Sequence, residues 1–308
     1  MDTSSEDELE QLKKRCETGD GNAIFQFGYY HFLREEYDDA LPLFTRAADM
    51  GSHQALYQLA VMYYDGLGVE ADPAKGVEIM TNIARSTNKR TQHLVPSAQY
   101  HVGKAYFEGH GVKQSDSAAF DWFLAAARDG EASGSVRAQS TLGLLYSRKD
   151  FLDLRAAFKW HRFAARNGSL ESLGALGVMY DSGHGTRADP ERALNCLKEA
   201  AERGNVYAAA SLAAQYYRKK FYNKAVEIAT RIANLEAADV DDVAARTECE
   251  PSYVRKGIAI ACFYLSRCYH VGQGVDVSAE HARMLCAKAV EFDSALVARL
   301  HEEITVGL

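Results

Sequence analysis

The sequence is poor in proline and tryptophan, and it has fewer basic than acidic residues. Only 5 of its 308 residues are proline and 2 are tryptophan, while 47% are hydrophobic. Because proline interrupts helices and accumulates in low-complexity chains, this composition predicts an ordered, helix-rich protein. Acidic residues outnumber basic ones and give a net charge of −7. Surfaces that bind nucleic acid carry an excess of positive charge, so we expect no nucleic-acid partner.

Long apolar runs and paired cysteine motifs are also absent. No apolar run approaches the roughly 20 residues of a membrane-spanning helix, and the acidic start lacks the apolar core of a secretory signal. We therefore expect a cytoplasmic protein without membrane insertion. The six cysteines form no Cys-x-x-Cys motif, and no histidine pair stands near them at metal-ligand spacing. Reduced, mostly buried thiols are expected, with no metal and no cofactor.

The sequence does contain one motif that recurs almost to its C-terminal end. Ala55, Leu59 and Tyr63 follow one another at four-residue spacing, and Gly-x-Gly comes next at 66–68. The same pattern leads to Gly-x-Gly at 109–111, 183–185 and 272–274, and it occurs once more, at 138–146, without the glycines. Such a period predicts a stacked array rather than a globule with one pocket.

A second pattern follows each copy of the first. In 157–168 it consists of alanines around Trp160 and ends in glycine, and offsets of three and four place these residues on one helical stripe. Two amphipathic helices joined by a short link form an αα-hairpin. Hairpins at about 22–52 and 205–233 have the same spacing but lack the glycine loop.

These patterns predict an all-α fold, a right-handed α–α superhelix (solenoid) of about seven hairpins, in a single domain over 1–308. We place the repeats at about 22–52, 53–84, 96–130, 136–168, 170–204, 205–233 and 258–290. Insertions are expected at about 85–96 and 234–256, as loops or helix extensions. Capping helices are expected at 6–18 and 294–305.

The repeated motifs resemble the Sel1-like repeat, a branch of the tetratricopeptide superfamily. The consensus Ala-x-x-x-Leu-Gly-x-x-Tyr-x-x-Gly-x-Gly-Val, followed by Ala-x-x-Trp-x-x-x-Ala-Ala-x-x-Gly, is met best at 98–130 and 172–204. This resemblance implies a scaffold or adaptor. Segments 106–116, 170–180 and 199–208 further resemble the megalin-binding branch of these proteins, which is cytoplasmic. That resemblance implies the tail of the endocytic receptor megalin, low-density lipoprotein receptor-related protein 2, as partner.

Small residues in these stripes let helix axes approach, and large ones fill the remaining space. The residues predicted to pack the repeats together are Ala55, Tyr63, Gly103, Tyr106, Trp122, Gly143, Tyr146, Trp160, Gly177, Tyr180, Leu212 and Tyr269.

Partner binding is predicted on the inner wall of the array. In tetratricopeptide-like arrays this wall comes from first-helix positions between the packing residues. Aromatic rings interspersed with cations suit an extended peptide that carries carboxylates or prolines. The predicted peptide-binding residues are Tyr57, Val61, Tyr64, Tyr100, Lys104, Phe107, Leu144, Arg148, Tyr217, Phe263, Arg267 and His270. The alternative, that these tyrosines pack between repeats and partners bind elsewhere, stays open.

No set of residues can be nominated for catalysis. Gly-His-Gly at 109–111 and 183–185 lacks the Gly-Lys-Ser/Thr of a phosphate loop, and His301 lacks a second histidine four residues later. We therefore expect a non-catalytic adaptor. Two alternatives remain: a scaffold that binds folded partners through its convex face or its insertions, and a secreted, disulfide-stapled solenoid with hydrolase or ligand-binding activity.

Overall fold

The structure, a computed structural model, describes the backbone of residues 3–306 and the side chains of 9–128 and 130–302. Every regular element within those residues is a helix, apart from two short 3₁₀ turns at Arg128–Gly130 and Lys149–Phe151. Helices α1 (Thr3–Glu17) and α14 (Asp239–Thr247) stand outside the repeats. The other helices form seven consecutive hairpins, which confirms the predicted all-α repeat array.

Hairpins 1 to 7 are, in order, α2 (Gly21–Leu33) with α3 (Tyr37–Asp49), α4 (His53–Asp65) with α5 (Pro73–Ala84), α6 (Val95–Glu108) with α7 (Asp116–Ala127), α8 (Val136–Leu145) with α9 (Leu154–Arg166), α10 (Leu170–Ser182) with α11 (Pro190–Glu202), α12 (Val206–Arg218) with α13 (Tyr222–Ala233), and α15 (Pro251–Val271) with α16 (Ala279–Val306). The chain divides into two compact units. Unit 1 ends at Gln139 and unit 2 begins at Ser140, within α8.

One backbone hydrogen bond recurs in all seven hairpins. The residue that precedes the second helix donates its N–H to the carbonyl of the residue at the tyrosine position of the first helix, as Asp72 does to Tyr63 at 2.8 Å. The accepting residues are His31, Tyr63, Tyr106, Tyr146, Tyr180, Tyr216 and Tyr269, and the bonds measure 2.8 to 3.0 Å. We call this the hairpin bond. It closes hairpins with and without a glycine loop in the same way.

Glycines on the first helices allow close approach of the second helix. A Cβ atom at Gly177 would lie 2.6 Å from Cγ of Leu197, and one at Gly143 would lie 2.6 Å from the ring of His161. Both distances are far below van der Waals contact, so only glycine fits without a shift of the helices. This is the physical basis of the small residues in the repeat.

The second glycine of each Gly-x-Gly loop contacts the preceding hairpin. Gly68, Gly111, Gly185 and Gly274 have φ between 63° and 76°, and each lies against the first residue of the preceding hairpin's second helix. A Cβ at 185 would overlap the carbonyl oxygen of Leu154, and one at 68 would lie 2.8 Å from the carbonyl oxygen of Tyr37. These glycines therefore join neighbouring hairpins as well as turning the chain.

The predicted packing residues are enclosed to different degrees. Ala55, Gly103, Gly143, Trp160, Gly177 and Leu212 are buried, and Trp122 and the tyrosines at 63, 106, 146, 180 and 269 are half-buried. Part of their covering comes from their own hairpin. The Lys75 ammonium group lies 3.7 Å from the ring centroid of Tyr63. Tyr180 meets Arg192 of its own hairpin and Phe158 of the preceding one.

The regions outside the repeats have structure of their own. Residues 85–94 form turns, whereas the second predicted insertion holds α14 and the first turns of α15. Val240, Val243 and Ala244 of α14 are buried in the core of unit 2. Helix α16 is broken at Asp293, whose side chain accepts a hydrogen bond from the N–H of Leu296. The segment after this break begins where the C-terminal capping helix was expected.

Candidate protein-binding surface

Aromatic rings from two neighbouring hairpins of unit 1 gather around His101. Tyr57 on α4 and Tyr100 on α6 meet the His101 ring edge-on, with centroids 5.8 and 5.6 Å away. Tyr100 also lies 5.8 Å from Phe123 of α7. Tyr57, Tyr100 and His101 are half-buried and form what we call the Tyr–His cluster. The structure thus brings together two predicted binding residues and adds a histidine that the sequence analysis did not select.

Two cations lie beside this cluster. Burial lowers the pKa of His101 to about 4, and the positive charges of Lys104 and Arg137 act in the same direction. Burial raises the pKa of Tyr57 to about 12, an effect that Arg137 partly opposes. Tyr57 and His101 are therefore neutral at pH 7, and positive charge lies beside them. Lys104 is exposed and lies 3.8 Å from the Glu108 carboxylate.

A small crevice of about 30 Å³ opens between α4, α5 and α6. Val61, Tyr64 and His101 are among its lining residues, so it borders the Tyr–His cluster. The Tyr64 ring also meets His110 of the glycine loop at 4.7 Å. Burial, followed by the negative charges of Glu108 and Asp65, raises the pKa of Tyr64 to about 12. The crevice has room for a small apolar group rather than for a whole ligand.

Phe107, another of the predicted peptide-binding residues, is half-buried.

In unit 2, two of the predicted peptide-binding residues, Tyr217 and Arg267, contact each other. Arg267 donates from Nε to the Tyr217 hydroxyl at 3.3 Å, and the Tyr217 ring lies 5.0 Å from Tyr264. Leu144 is half-buried, while Arg148 and His270 are exposed. The structure therefore brings Tyr217 and Arg267 together as a pair within unit 2.

Phe263 is not available to a partner. Its side chain is 1% exposed and belongs to the core of unit 2. His301, in the segment that follows the break in α16, lies 4.8 Å from its ring. The prediction that Phe263 binds a peptide is therefore wrong, because the C-terminal segment covers this position of α15. Every hairpin shares the repeat pattern, but only the last one has this segment after it, so the pattern could not reveal the covering.

Two buried polar groups in unit 2 also escaped the sequence analysis. The Glu171 carboxylate is 6% exposed and accepts the N–H of Glu250 at 2.7 Å, which connects α10 to the start of α15. Burial raises the pKa of Glu171 to about 7. His161 and the Ser172 hydroxyl are 3.0 Å apart. His161 is 2% exposed and Ser172 is 0% exposed, so no substrate reaches this pair.

The cysteines and one cluster of a histidine with two carboxylates are further candidates for chemistry among the described residues. All six cysteines are free thiols, and burial raises the pKa of Cys249, Cys262 and Cys268 to about 11. Ligand atoms of His31, Glu36 and Asp39 lie within 4.8 Å of one another. Arg34 donates to Glu36 at 2.9 Å, and the positive end of α3 is adjacent, so a cation would meet two opposing charges here. His31 and Arg34 both bond to the Glu36 carboxylate, so this carboxylate already has two partners.

Comparison with known proteins relates the chain to one repeat family. The family model described as the Sel1 repeat matches residues 53–85, 96–131, 137–169, 170–205 and 259–291, together more than half of the chain. Hairpins 1 and 6, which lack the glycine loop, lie outside these matches. None of the helices in the described part of the chain combines the length and apolar character needed to cross a membrane.

Similar proteins include two with regulatory names. The chain is 28% identical over 170 residues to DAP3-binding cell death enhancer 1 of Mus musculus, covering 55% of this chain and 32% of that protein. It is 27% identical over 191 residues to chitin synthase regulatory factor 3 of Schizosaccharomyces pombe, covering 58% and 20%. The chain thus spans a third or less of the length of these curated relatives. Neither name refers to megalin, so they do not support the closer resemblance to the megalin-binding branch.

Solved structures share the fold over most of this chain. A protective antigen of uropathogenic Escherichia coli strains displaying an SLR fold matches with a TM-score of 0.62 and 26% identity, covering 94% of this chain and 65% of that one. A Sel1 repeat protein from Oxalobacter formigenes matches with a TM-score of 0.65 and 22% identity, covering 87% and 99%. These matches confirm the predicted solenoid class.

Proposed function

Because the chain belongs to the Sel1 repeat family, whose members generally mediate contacts between proteins, we propose that it is a non-catalytic cytosolic adaptor. Its binding surface in this proposal is the Tyr–His cluster of unit 1, which takes a flexible segment of a partner protein. One observation carries the proposal: two tyrosines from neighbouring hairpins meet at His101, with the cations Lys104 and Arg137 beside them.

The chemistry of this surface selects a particular kind of segment. Tyrosine rings offer a large contact area and lose little side-chain entropy on binding. The neutral His101 ring between them can both donate and accept a hydrogen bond. Lys104 and Arg137 attract carboxylates and fix the register of the bound chain. The preferred segment is therefore extended, contains proline or aliphatic side chains that pack on the rings, and carries acidic residues.

Two proteins are candidate partners. The cytoplasmic tail of megalin follows from the resemblance of segments 106–116, 170–180 and 199–208, and a receptor tail is a flexible chain of the required kind. DAP3 follows from the name of the mouse relative. Both proposals concern the same surface, so one set of variants tests them.

The charges beside the cluster provide the test. We expect the double variant Lys104→Glu, Arg137→Glu to weaken binding of a megalin-tail peptide or of DAP3 at least tenfold, because two attractive charges become repulsive. Both side chains are exposed, so the fold should be retained. Fluorescence anisotropy measures the Kd, and Lys149→Glu with Arg187→Glu is the matched control in unit 2. Binding that changes less than twofold in the first pair, for whichever partner binds the wild type, contradicts the proposed surface. If the wild type binds neither partner, both partner assignments are wrong.

A further inference from the structure

A groove of about 500 Å³ lies in unit 2, apart from the surface proposed above. It is bounded by the last turn of α11, by α12 and by α13. Leu212, Tyr216, Ile228 and Ile232 are among its lining residues, so much of its wall is apolar. This volume is large enough for a bulky side chain together with part of the backbone that carries it.

The repeat pattern explains why this space is empty. Ile228 occupies the position of Trp122 in hairpin 3 and of Trp160 in hairpin 4. In hairpin 3 the Trp122 ring packs against a core cluster that includes Ile83 and Ala84, at the end of the preceding hairpin's second helix. The Arg85 guanidinium group lies 5.8 Å from that ring. Trp122 therefore fills the space between two successive second helices.

The corresponding residues line the groove of hairpin 6. Residues 84 and 85 of hairpin 2 correspond to Ala201 and Glu202 of hairpin 5, and both line the groove opposite Ile228. The shorter isoleucine side chain leaves open the space that an indole ring fills three hairpins earlier. The groove thus has space for an indole ring, and none of the described residues places one there.

The charged side chains at the groove add a second requirement. Lys198 on α11 is exposed and has no ion-pair partner among the described residues, whereas Arg231 on α13 pairs with Glu227 at 2.7 Å. Glu202 offers a carboxylate acceptor where hairpin 2 has Arg85. An unpaired lysine favours an acidic group on the occupant, and a carboxylate in the lining favours an indole N–H.

We propose that this groove binds a tryptophan side chain of a partner protein that has an acidic residue next to it. The partner supplies the indole ring that hairpin 3 supplies for itself, and its carboxylate pairs with Lys198. This proposal is independent of the Tyr–His cluster, because every residue it uses lies in unit 2. It gives the protein a second docking surface.

Indole-3-propionate, which combines the ring with a carboxylate, is a suitable probe. We expect it to shift the amide resonances of residues 198–216 and 228–235 saturably, at millimolar concentration, in ¹H–¹⁵N spectra of the full chain. Ile228→Trp fills the groove with the chain's own indole and should abolish these shifts while keeping or raising the melting temperature. Lys198→Glu should weaken binding about fivefold or more, and Lys149→Glu, an exposed lysine elsewhere in unit 2, should not.

Several outcomes would overturn the proposal. One is the absence of saturable shifts up to 10 mM probe, and another is shifts that persist in Ile228→Trp. Equal binding of hexanoate, an acid without a ring, would show that the groove does not select an aromatic side chain. If Ile228→Trp does not fold, Ala209→Leu narrows the groove from α12 and should weaken the shifts in its place. Unchanged binding in that folded variant also contradicts the assignment.

Discussion

At the scale of single residues, burial decides the charge of His161. His161 is 2% exposed, and its Nδ1 atom lies 3.0 Å from the Ser172 hydroxyl. Burial lowers its pKa to about 4. In the unfolded chain a histidine has a pKa of about 6.5 and takes up a proton well before the folded form does. The folded protein therefore gains stability from neutral His161 above pH 6.5 and loses it as the pH falls towards 4.

We predict that the free energy of unfolding falls by about 3 kcal/mol between pH 6.5 and pH 4 through His161 alone. Replacing His161 by asparagine, which does not titrate and keeps a polar partner for Ser172, should remove this part of the pH dependence. Urea denaturation at a series of pH values measures it. His270→Asn is the control, because His270 is exposed. If the slope of stability against pH is the same in His161→Asn and the wild type, His161 is not the titrating group.

The candidate site could be predicted only in part from single residues. The offsets from each alanine selected Tyr57, Tyr100 and Lys104, because first-helix periodicity places such residues near each other. His101 and Arg137 were missed, since the contact with His101 connects two hairpins and Arg137 stands before the motif of its own hairpin. The prediction that Phe263 binds a partner was wrong for another reason. The segment after the break in α16, which includes His301, covers this residue. Contacts of that kind have no period.

At the scale of helices and loops, two structural conditions restrict the second position of each Gly-x-Gly loop to glycine. It adopts a left-handed conformation, and it lies against the backbone of the preceding hairpin. The first glycine of the loop meets only the first condition, the left-handed conformation. A Cβ at Gly183 would lie 3.3 Å from its nearest neighbour, whereas one at Gly185 would overlap Leu154. In the sequence the two glycines belong to one loop motif and look alike, because a contact between hairpins is not visible within one repeat.

The two glycines of this loop therefore provide a matched pair of variants. Gly183→Ala should cost about 1 to 2 kcal/mol, the cost of a left-handed alanine. Gly185→Ala adds overpacking of about 1 to 3 kcal/mol, so we expect about 2 to 5 kcal/mol in total. Chemical denaturation of both variants measures the difference. Equal losses would mean that the contact between Gly185 and Leu154 does not restrain the second glycine.

The seven repeated hairpins were easier to predict from the sequence than helix α14, which stands outside the repeats. Seven hairpins follow from a spacing that is repeated seven times, and errors at single positions average out over so many copies. Helix α14 has no second copy in the chain, and its buried Val240 and Val243 form an ordinary amphipathic pattern within a predicted insertion. Whether that segment would be a loop or a helix could not be decided, because nothing else in the sequence resembles it.

At the scale of the whole molecule, a destabilising substitution in a repeat array affects only the nearby hairpins. Each hairpin gains most of its stability from contacts within itself and with its neighbours, so the loss of one contact should open the structure locally. The described contacts follow this pattern: Gly185 touches Leu154 of the preceding hairpin, and Phe158 of that same hairpin touches Tyr180.

Hydrogen exchange measures how far such an opening extends. In Gly185→Ala we expect faster amide exchange in α9, α10 and α11, and unchanged exchange in α2 and α3 of unit 1, under conditions where the wild type remains folded. Mass spectrometry of peptic fragments resolves these helices. A uniform acceleration along the whole chain would instead show that the array unfolds as one cooperative block.

The hairpin bond has a practical consequence for protein engineering. Its donor and acceptor are five residues apart in hairpins 1 and 6, seven in hairpin 4 and nine in the others, yet the bond length hardly varies. The link between the two helices can therefore change in size while both of its anchoring ends stay in place. An epitope or a fluorescent tag grafted between residues 183 and 185 would disturb the array, whereas one grafted into the exposed stretch 147–150 would leave the flanking helices undisturbed.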